Sequence, residues 1–222
     1  MRALMVSTAR VAVLAVLVTL GAGCTESGTE PKASLSAKPP EVDPTEACPG
    51  LITDAAGKAL TDVLQSSHLV NDDARTVGLT AMGKALEEFY RAGPKAGEFA
   101  APTCTVTGSV GRGKRIGEIR LAANSGNADA SGSDRTGVRV KRASGERGVA
   151  FDCASTRVGS TRDMPLRITA FYTDRYQGSR GDGVLGEDYL VLAHSAAVAI
   201  AKELGCENGG GLPEGAAALP KP

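Results

Sequence analysis

The sequence predicts an α+β fold: an antiparallel sheet of four to five strands with about three helices packed on one face. Three observations lead there. Apolar residues recur with a helical period over residues 51–64 and 74–89. Between residues 103 and 173 the period falls to two. A broad helical pattern then returns at residues 187–204. Helices and strands are segregated along the chain rather than alternating, which argues against a doubly wound parallel sheet.

Each element follows from its pattern. Leu51, Ile52, Ala55, Ala56, Ala59, Leu60, Val63 and Leu64 make one face of a first helix, with Thr53 placed to cap its start. Residues 66–70 break that pattern. Asn71 or Asp72 can cap a second helix, whose stripe is Ala74, Val77, Ala81, Met82, Ala85, Leu86 and Phe89. Gly93-Pro94 stops it. Residues 103–110 and 115–122 read as strands on either side of Gly111-Arg112-Gly113, and residues 124–133 as a polar loop. Residues 136–142 and 147–154 form a hairpin pattern around Ala143-Ser144-Gly145-Glu146. Residues 166–173 are the last strand, with Leu166, Ile168, Ala170 and Tyr172 on one face. A Gly-rich loop over residues 176–186 leads to the third helix, 187–204, which is apolar around much of its circumference and so largely buried. Glu187, Asp188, His194 and Lys202 within it argue against a membrane span. Gly205 fits a C-terminal cap.

Residues 1–23 have the form of an export signal. Arg2 and Arg10 are its only charges, residues 11–20 are apolar apart from Thr19, and Gly21, Ala22 and Gly23 precede Cys24. The apolar run is shorter than the roughly 20 residues that a helix needs to cross a bilayer. Residues 24–47 then read as a Ser-, Thr- and Pro-rich disordered tether beginning at Cys24. Such a coil spans about 26 Å, or about 70 Å if fully extended. Residues 48–206 form a single globular domain, and residues 207–222 read as a disordered Gly/Pro/Ala tail.

The domain contains Cys48, Cys104, Cys153 and Cys206. An even count in an exported chain points to two disulfides. Four cysteines allow three pairings. Cys48–Cys104 with Cys153–Cys206 is favoured, because each bond then ties a helix end to a strand end. No Cys-x-x-Cys pair exists, and only His68 and His194 could assist, so no metal or other cofactor is expected.

No stretch carries a recognisable catalytic constellation. Residues 78–85 match most of a P-loop but lie inside a helical pattern and end in Ala85, where Ser or Thr is needed. His194 and Ser195 are adjacent on a helix, hence about 100° apart and not facing each other. Arg180-Gly181-Asp182 is an RGD triplet of a kind that arises readily by chance in an Arg- and Gly-rich chain. Asp174, Asp182, Glu187 and Asp188 lack the alternate spacing of a calcium loop.

Charge excludes one class of partner and hints at another. The whole chain has 25 basic and 25 acidic residues. Without residues 1–23 the balance is 23 to 25, which implies no nucleic-acid partner. Locally the balance is uneven, with nine basic and four acidic residues in 112–147. There Arg139 and Lys141 alternate with Val138 and Val140, so one face is apolar and the other basic. The simplest reading is a solvated sheet face. The sharper one is a surface drawn to anionic headgroups or wall polymers.

Gly21-Ala22-Gly23-Cys24 resembles a bacterial lipobox, with Gly21 at the position where Leu is usual. The resemblance implies that Cys24 receives diacylglycerol and becomes the first residue of a protein anchored at the outer face of the cell membrane. The layout as a whole resembles the uncharacterised lipoproteins of actinobacterial cell surfaces. Cys48-Pro49-Gly50-Leu51-Ile52-Thr53 is similar to the Cys-x-Leu-Leu-Thr opening of one such family, with one added residue and Ile for Leu. This implies a small α+β domain and brings no catalytic residues. The expected function is therefore a non-catalytic, lipid-anchored binding or accessory domain. The alternatives are an extracytoplasmic hydrolase using Ser195 or His194, and a transporter's solute-binding lipoprotein.

Overall fold

The computed structural model describes residues 40–71, 76–111, 113–125, 137–175 and 182–221. The signal peptide, Cys24 and most of the expected tether lie outside these residues. So do Arg112, Arg135 and Arg180-Gly181.

Among the described residues the chain forms three α-helices and one six-stranded antiparallel sheet. The elements are α1 (Asp54–Leu64), β1 (Leu69–Asn71), α2 (Leu79–Ala92), β2 (Glu98–Val110), β3 (Gly113–Ser125), β4 (Arg139–Ala143), β5 (Glu146–Cys153), β6 (Leu166–Asp174) and α3 (Asp182–Leu204). Sheet order is β1-β2-β3-β6-β5-β4. The α+β class is as predicted, and the sheet has one strand more than the expected maximum. The extra strand is β1, three residues long and too short for a period of two to register.

Strand alternation gives the sheet two chemically different faces. Cys104, Val106, Ile119, Leu121, Ala123, Val149, Phe151, Cys153, Leu166, Ile168, Ala170 and Tyr172 are all buried and face the helices. Leu60, Val63 and Leu64 of α1, Met82 and Leu86 of α2, and Leu192, Ala193, Ala196, Ala197 and Ile200 of α3 complete that core. Alanines dominate the facing side of α3, so its backbone can lie close to β5 and β6. Among the described residues no helix packs on the other face.

Local chemistry sets the ends of the elements. Thr53 Oγ1 accepts from the N–H of Ala56 at 3.4 Å, as its capping position predicts. After α3, Gly205 takes φ +66° and the N–H of Cys206 reaches Ala201 O at 2.9 Å, a Schellman-type stop. Pro102 interrupts β2 beside a bulge, on a stretch that β1 does not cover, where a missing N–H leaves no ladder bond broken.

Several boundaries differ from expectation. α2 begins at Leu79 after an uncapping Gly78, and Asn71 belongs to β1 instead of capping it. α3 begins at Asp182, so the C-terminal end of the expected Gly-rich loop is helical. Residues 40–47, read as tether, pack onto the domain: Val42 N–H donates to Leu69 O at 2.9 Å, and Ala47 is fully buried. Residues 207–221, read as a tail, make two short 3-10 turns and bury Leu219 against the core, with Leu212 packed beside it. In both segments a few apolar side chains next to a disulfide suffice to hold a polar, Gly- or Pro-rich stretch.

The disulfides are Cys48–Cys104 and Cys153–Cys206, the favoured pairing. The first fixes the chain entering α1 to β2, and the second fixes the chain leaving α3 to the end of β5.

Candidate functional site

The catalytic alternative depended on His194 and Ser195, and both are buried in α3. Ser195 Oγ donates to Leu51 O at 2.7 Å and accepts from the N–H of Thr53 at 3.1 Å, so it fastens α3 to the entry of α1. His194 Nε2 bonds to Pro213 O at 2.9 Å and holds the C-terminal segment. The two side chains thus face different neighbours and do not form a nucleophile–base pair. Among the described residues no group of three or more His, Cys, Asp or Glu is arranged to hold a metal. The P-loop-like stretch 78–85 falls on the Gly78 cap and the first turns of α2, with Lys84 paired to Glu88 at 3.9 Å.

Burial lowers the pKa of His194 below the usual histidine value, and the bond to Pro213 offsets this only in part. The folded state therefore favours neutral imidazole. The corresponding stability is fully present above the unfolded histidine pKa, about 6.5, and is lost as pH falls towards the lowered folded value. Urea unfolding at pH 7.5 and 5.5 should show a smaller acid-side loss for His194→Gln than for wild type. Equal losses would remove His194 as the cause.

The basic segment 112–147 divides between the two faces. Arg115 and Arg147 lie on the helix side and are buried. Arg115 Nη1 donates to Val63 O at 3.0 Å, and Arg147 Nη1 donates to the carbonyls of Ala143 and Glu146, each at 2.8 Å. Close by, Tyr189 donates to Asp174 Oδ2 at 2.9 Å beneath the Tyr172 ring. Burial and the charge of Asp174 push the Tyr172 hydroxyl well above its ordinary pKa. These groups hold the core together and are withheld from any external partner. Lys114, Arg120, Arg139 and Lys141 do lie on the open face, as the alternation with Val138 and Val140 predicts for the last pair.

Strand pairing sets the open face out in rows. Thr105, Glu118, Thr173 and Glu146 share one row; Pro102, Arg120, Phe171, Gly148 and Lys141 the next. Ala100, Ala122, Thr169, Ala150 and Arg139 form a third, and Glu98, Asn124, Arg167 and Asp152 a fourth. In the first two rows Glu118, Glu146 and Arg120 have charged partners. Arg120 donates to Glu146 at 2.9 Å and lies 4.6 Å over the Phe171 ring, which packs on Gly148. Arg175, just beyond β6, binds Glu118 through two nitrogens.

The third and fourth rows are different. Arg167 is 6% exposed, and its Nε and Nη1 have no hydrogen-bond partner. Its nearest counter-charge, Asp152 Oδ1, is 3.6 Å away, beyond hydrogen-bond length. The N–H of Gly137 occupies Asp152 Oδ2 at 2.9 Å. Arg139, two residues after Gly137 on β4, also has a buried Nε without a partner. Arg167 lies outside the basic segment that the sequence singles out, and its alternation with Leu166 and Ile168 sets it on this face.

No family model matches the chain, and neither does any curated protein or solved structure. The reading of this surface therefore stands on its own chemistry. It is a six-stranded platform with a surplus of cations, hydrogen-bonded to carboxylates at one end and, at Arg167, paired with Asp152 at 3.6 Å.

A separate cleft of about 490 Å³ lies between α3 and the C-terminal segment, lined by Val198, Lys202, Leu212, Pro213 and Glu214 among others. It is walled largely by apolar atoms and brings no catalytic group together.

Proposed function

We propose that this chain is an extracytoplasmic lipoprotein of the kind found on actinobacterial cell surfaces. Diacylglycerol on Cys24 holds it at the outer face of the cell membrane, and its domain binds a partner without catalysis. The observation that carries the reading is the use of cysteine. Of the five cysteines in the chain, Cys48, Cys104, Cys153 and Cys206 are spent in two disulfides, which belong to an oxidising compartment. Cys24 alone is left over, and it follows an apolar run that ends in small residues. Two acyl chains on that thiol would give stable attachment, where one gives only marginal binding.

The basic open face supports an anionic partner at the membrane surface in preference to a nucleic acid, since the chain as a whole has no net charge. A single sheet with its helices on one side favours this reading over solute capture between two lobes. The engaged side chains of His194 and Ser195 favour it over hydrolysis. Metabolic labelling with a palmitate analogue tests the anchor. Wild type should label and fractionate with membranes, while Cys24→Ala should lose essentially all label and appear in the medium. Equal labelling of the two would overturn the proposal.

A further inference from the structure

We infer that residues 208–221 form a strap that swings open on the Asn208–Gly211 turn while the rest of the domain stays folded, and that protonation of His194 favours the open form. The last covalent tie to the sheet is Cys153–Cys206, so the chain beyond it is held by noncovalent contacts alone. Apart from turns closed within residues 206–219, the bond from His194 Nε2 to Pro213 O is, among the described residues, the sole hydrogen bond between the strap and the domain. The remaining hold is apolar: Leu219 is buried, and Leu212 and Ala216 pack partly buried against the core.

The root of the strap suits motion. Asn208, Gly209, Gly210 and Gly211 all have positive φ, between 49° and 71°. Asn and Gly enter that region at little cost. Gly210 sits at the pivot, against the Phe151 ring. Beyond it the strap stands off from α3 across the cleft of about 490 Å³ that Leu212, Pro213 and Glu214 help to line. Opening bares the flank of α3 around Val198 and Ala201 and the seat of Leu219, an apolar surface withheld while the strap is closed.

His194 couples this motion to pH. It is buried on α3. A carbonyl only accepts, so the neutral ring donates from Nε2 to Pro213. Imidazolium makes the same bond, and protonation therefore does not cut it. The effect comes from desolvation: burial disfavours the charged ring, which water in the open form accepts. The closed form thus binds the proton less tightly, and the open population rises as pH falls below about 6.5. The charged groups on the surrounding elements are Glu187 and Lys202 of α3, Glu214 and Lys221 of the strap, and Asp54 and Lys58 of α1. All are exposed, and only the Pro213 bond opposes the effect of burial on His194.

Hydrogen exchange of the full chain carrying Cys24→Ala, read by mass spectrometry and corrected for the intrinsic pH dependence of exchange, tests this. Protection of the strap should fall between pH 7.5 and 5.5 by at most about tenfold, the ceiling for one histidine of ordinary pKa. Protection of α3 and β5 should hold. The fall should begin near pH 6.5 and level off where the His194 Hε1 resonance titrates. His68 is the one other histidine, and His68→Gln separates the two signals. His194→Gln keeps a donor for Pro213 and cannot titrate, so its strap should show no pH step. Gly209→Ala adds a Cβ that meets nothing within 4 Å but must hold φ +60°. It should speed strap exchange several-fold at both pH values and leave the step in place. Circular dichroism confirms that each variant folds, and the wild-type titration stands without them. A wild-type strap without a pH step, a step that survives His194→Gln, or levelling away from the His194 titration would overturn the role of His194. Loss of protection in α3 and β5 together with the strap would show that no separate strap exists. Unchanged exchange in Gly209→Ala would rule out the pivot.

Discussion

Reduction of both disulfides is expected to unfold the domain at ambient temperature without added denaturant. The bonds join residues 56 and 53 apart in sequence. For loops of this size, loss of unfolded-chain entropy corresponds to about 4 kcal/mol per bond. Together that approaches the whole stability of an ordinary domain, about 5–15 kcal/mol. Their positions add to the effect. Cys48–Cys104 secures the entry to α1, and Cys153–Cys206 secures the segment after α3 that covers the end of β5. Far-UV circular dichroism before and after dithiothreitol would record the change. The double variants Cys48→Ala/Cys104→Ala and Cys153→Ala/Cys206→Ala should each lower the urea midpoint, with slopes fitted separately because the unfolded chains differ. A reduced protein with an unchanged midpoint would show that the sheet and helices suffice alone.

Phe151→Ala should cost about 3–5 kcal/mol, the usual range for emptying a buried phenylalanine site. Phe151 is fully buried in β5 and faces α3. Its ring also meets the segment beyond α3 so closely that a Cβ at Gly210 would stand 2.5 Å from Phe151 Cδ2. Gly210 has φ +68°, so its conformation and its missing side chain both suit the ring edge. Truncation therefore empties a core site and removes the surface on which residues 207–211 lie. The unfolding free energy from urea titration gives the cost, and limited proteolysis should show earlier cleavage near residue 210. A loss below about 1 kcal/mol would mean that the ring is not part of the tightly packed core.

The elements most legible in the sequence are those whose periodicity is long or whose punctuation is sharp. Thr53 before the α1 stripe, the Ser144–Gly145 turn between β4 and β5, and Gly205 after α3 all act where their chemistry places them. The disulfide pairing followed from the same layout. β1 escaped because three residues do not establish a period, and its partner in β2 lies more than 30 positions away. The start of α3 escaped because Gly183 and Gly186 weaken a helical pattern that packing then supports. Residues 207–221 look like a tail by composition, yet Leu212 and Leu219 find the core. The site itself was half visible. Alternation placed Arg139 and Lys141 on the solvent face, but the meeting of Asp152 with Arg167 depends on the register between β5 and β6. That register could be read only once the strands were paired.

The way residues 40–48 join the domain has a mechanical consequence. Any pull on the chain ahead of Pro40 first reaches the exposed Glu41–His68 ion pair and the backbone bridge between Val42 and Leu69, at the edge of the sheet. Those contacts can be peeled open one bond at a time. Six residues further on, the load meets Cys48 and passes through sulfur into Cys104 on β2, the long strand paired along its length with β3. Tension then acts across many backbone bonds at once and bypasses α1 altogether. The segment ahead of Cys48 behaves as a short extensible leader, and the body behind it as a unit that can be towed without being unravelled.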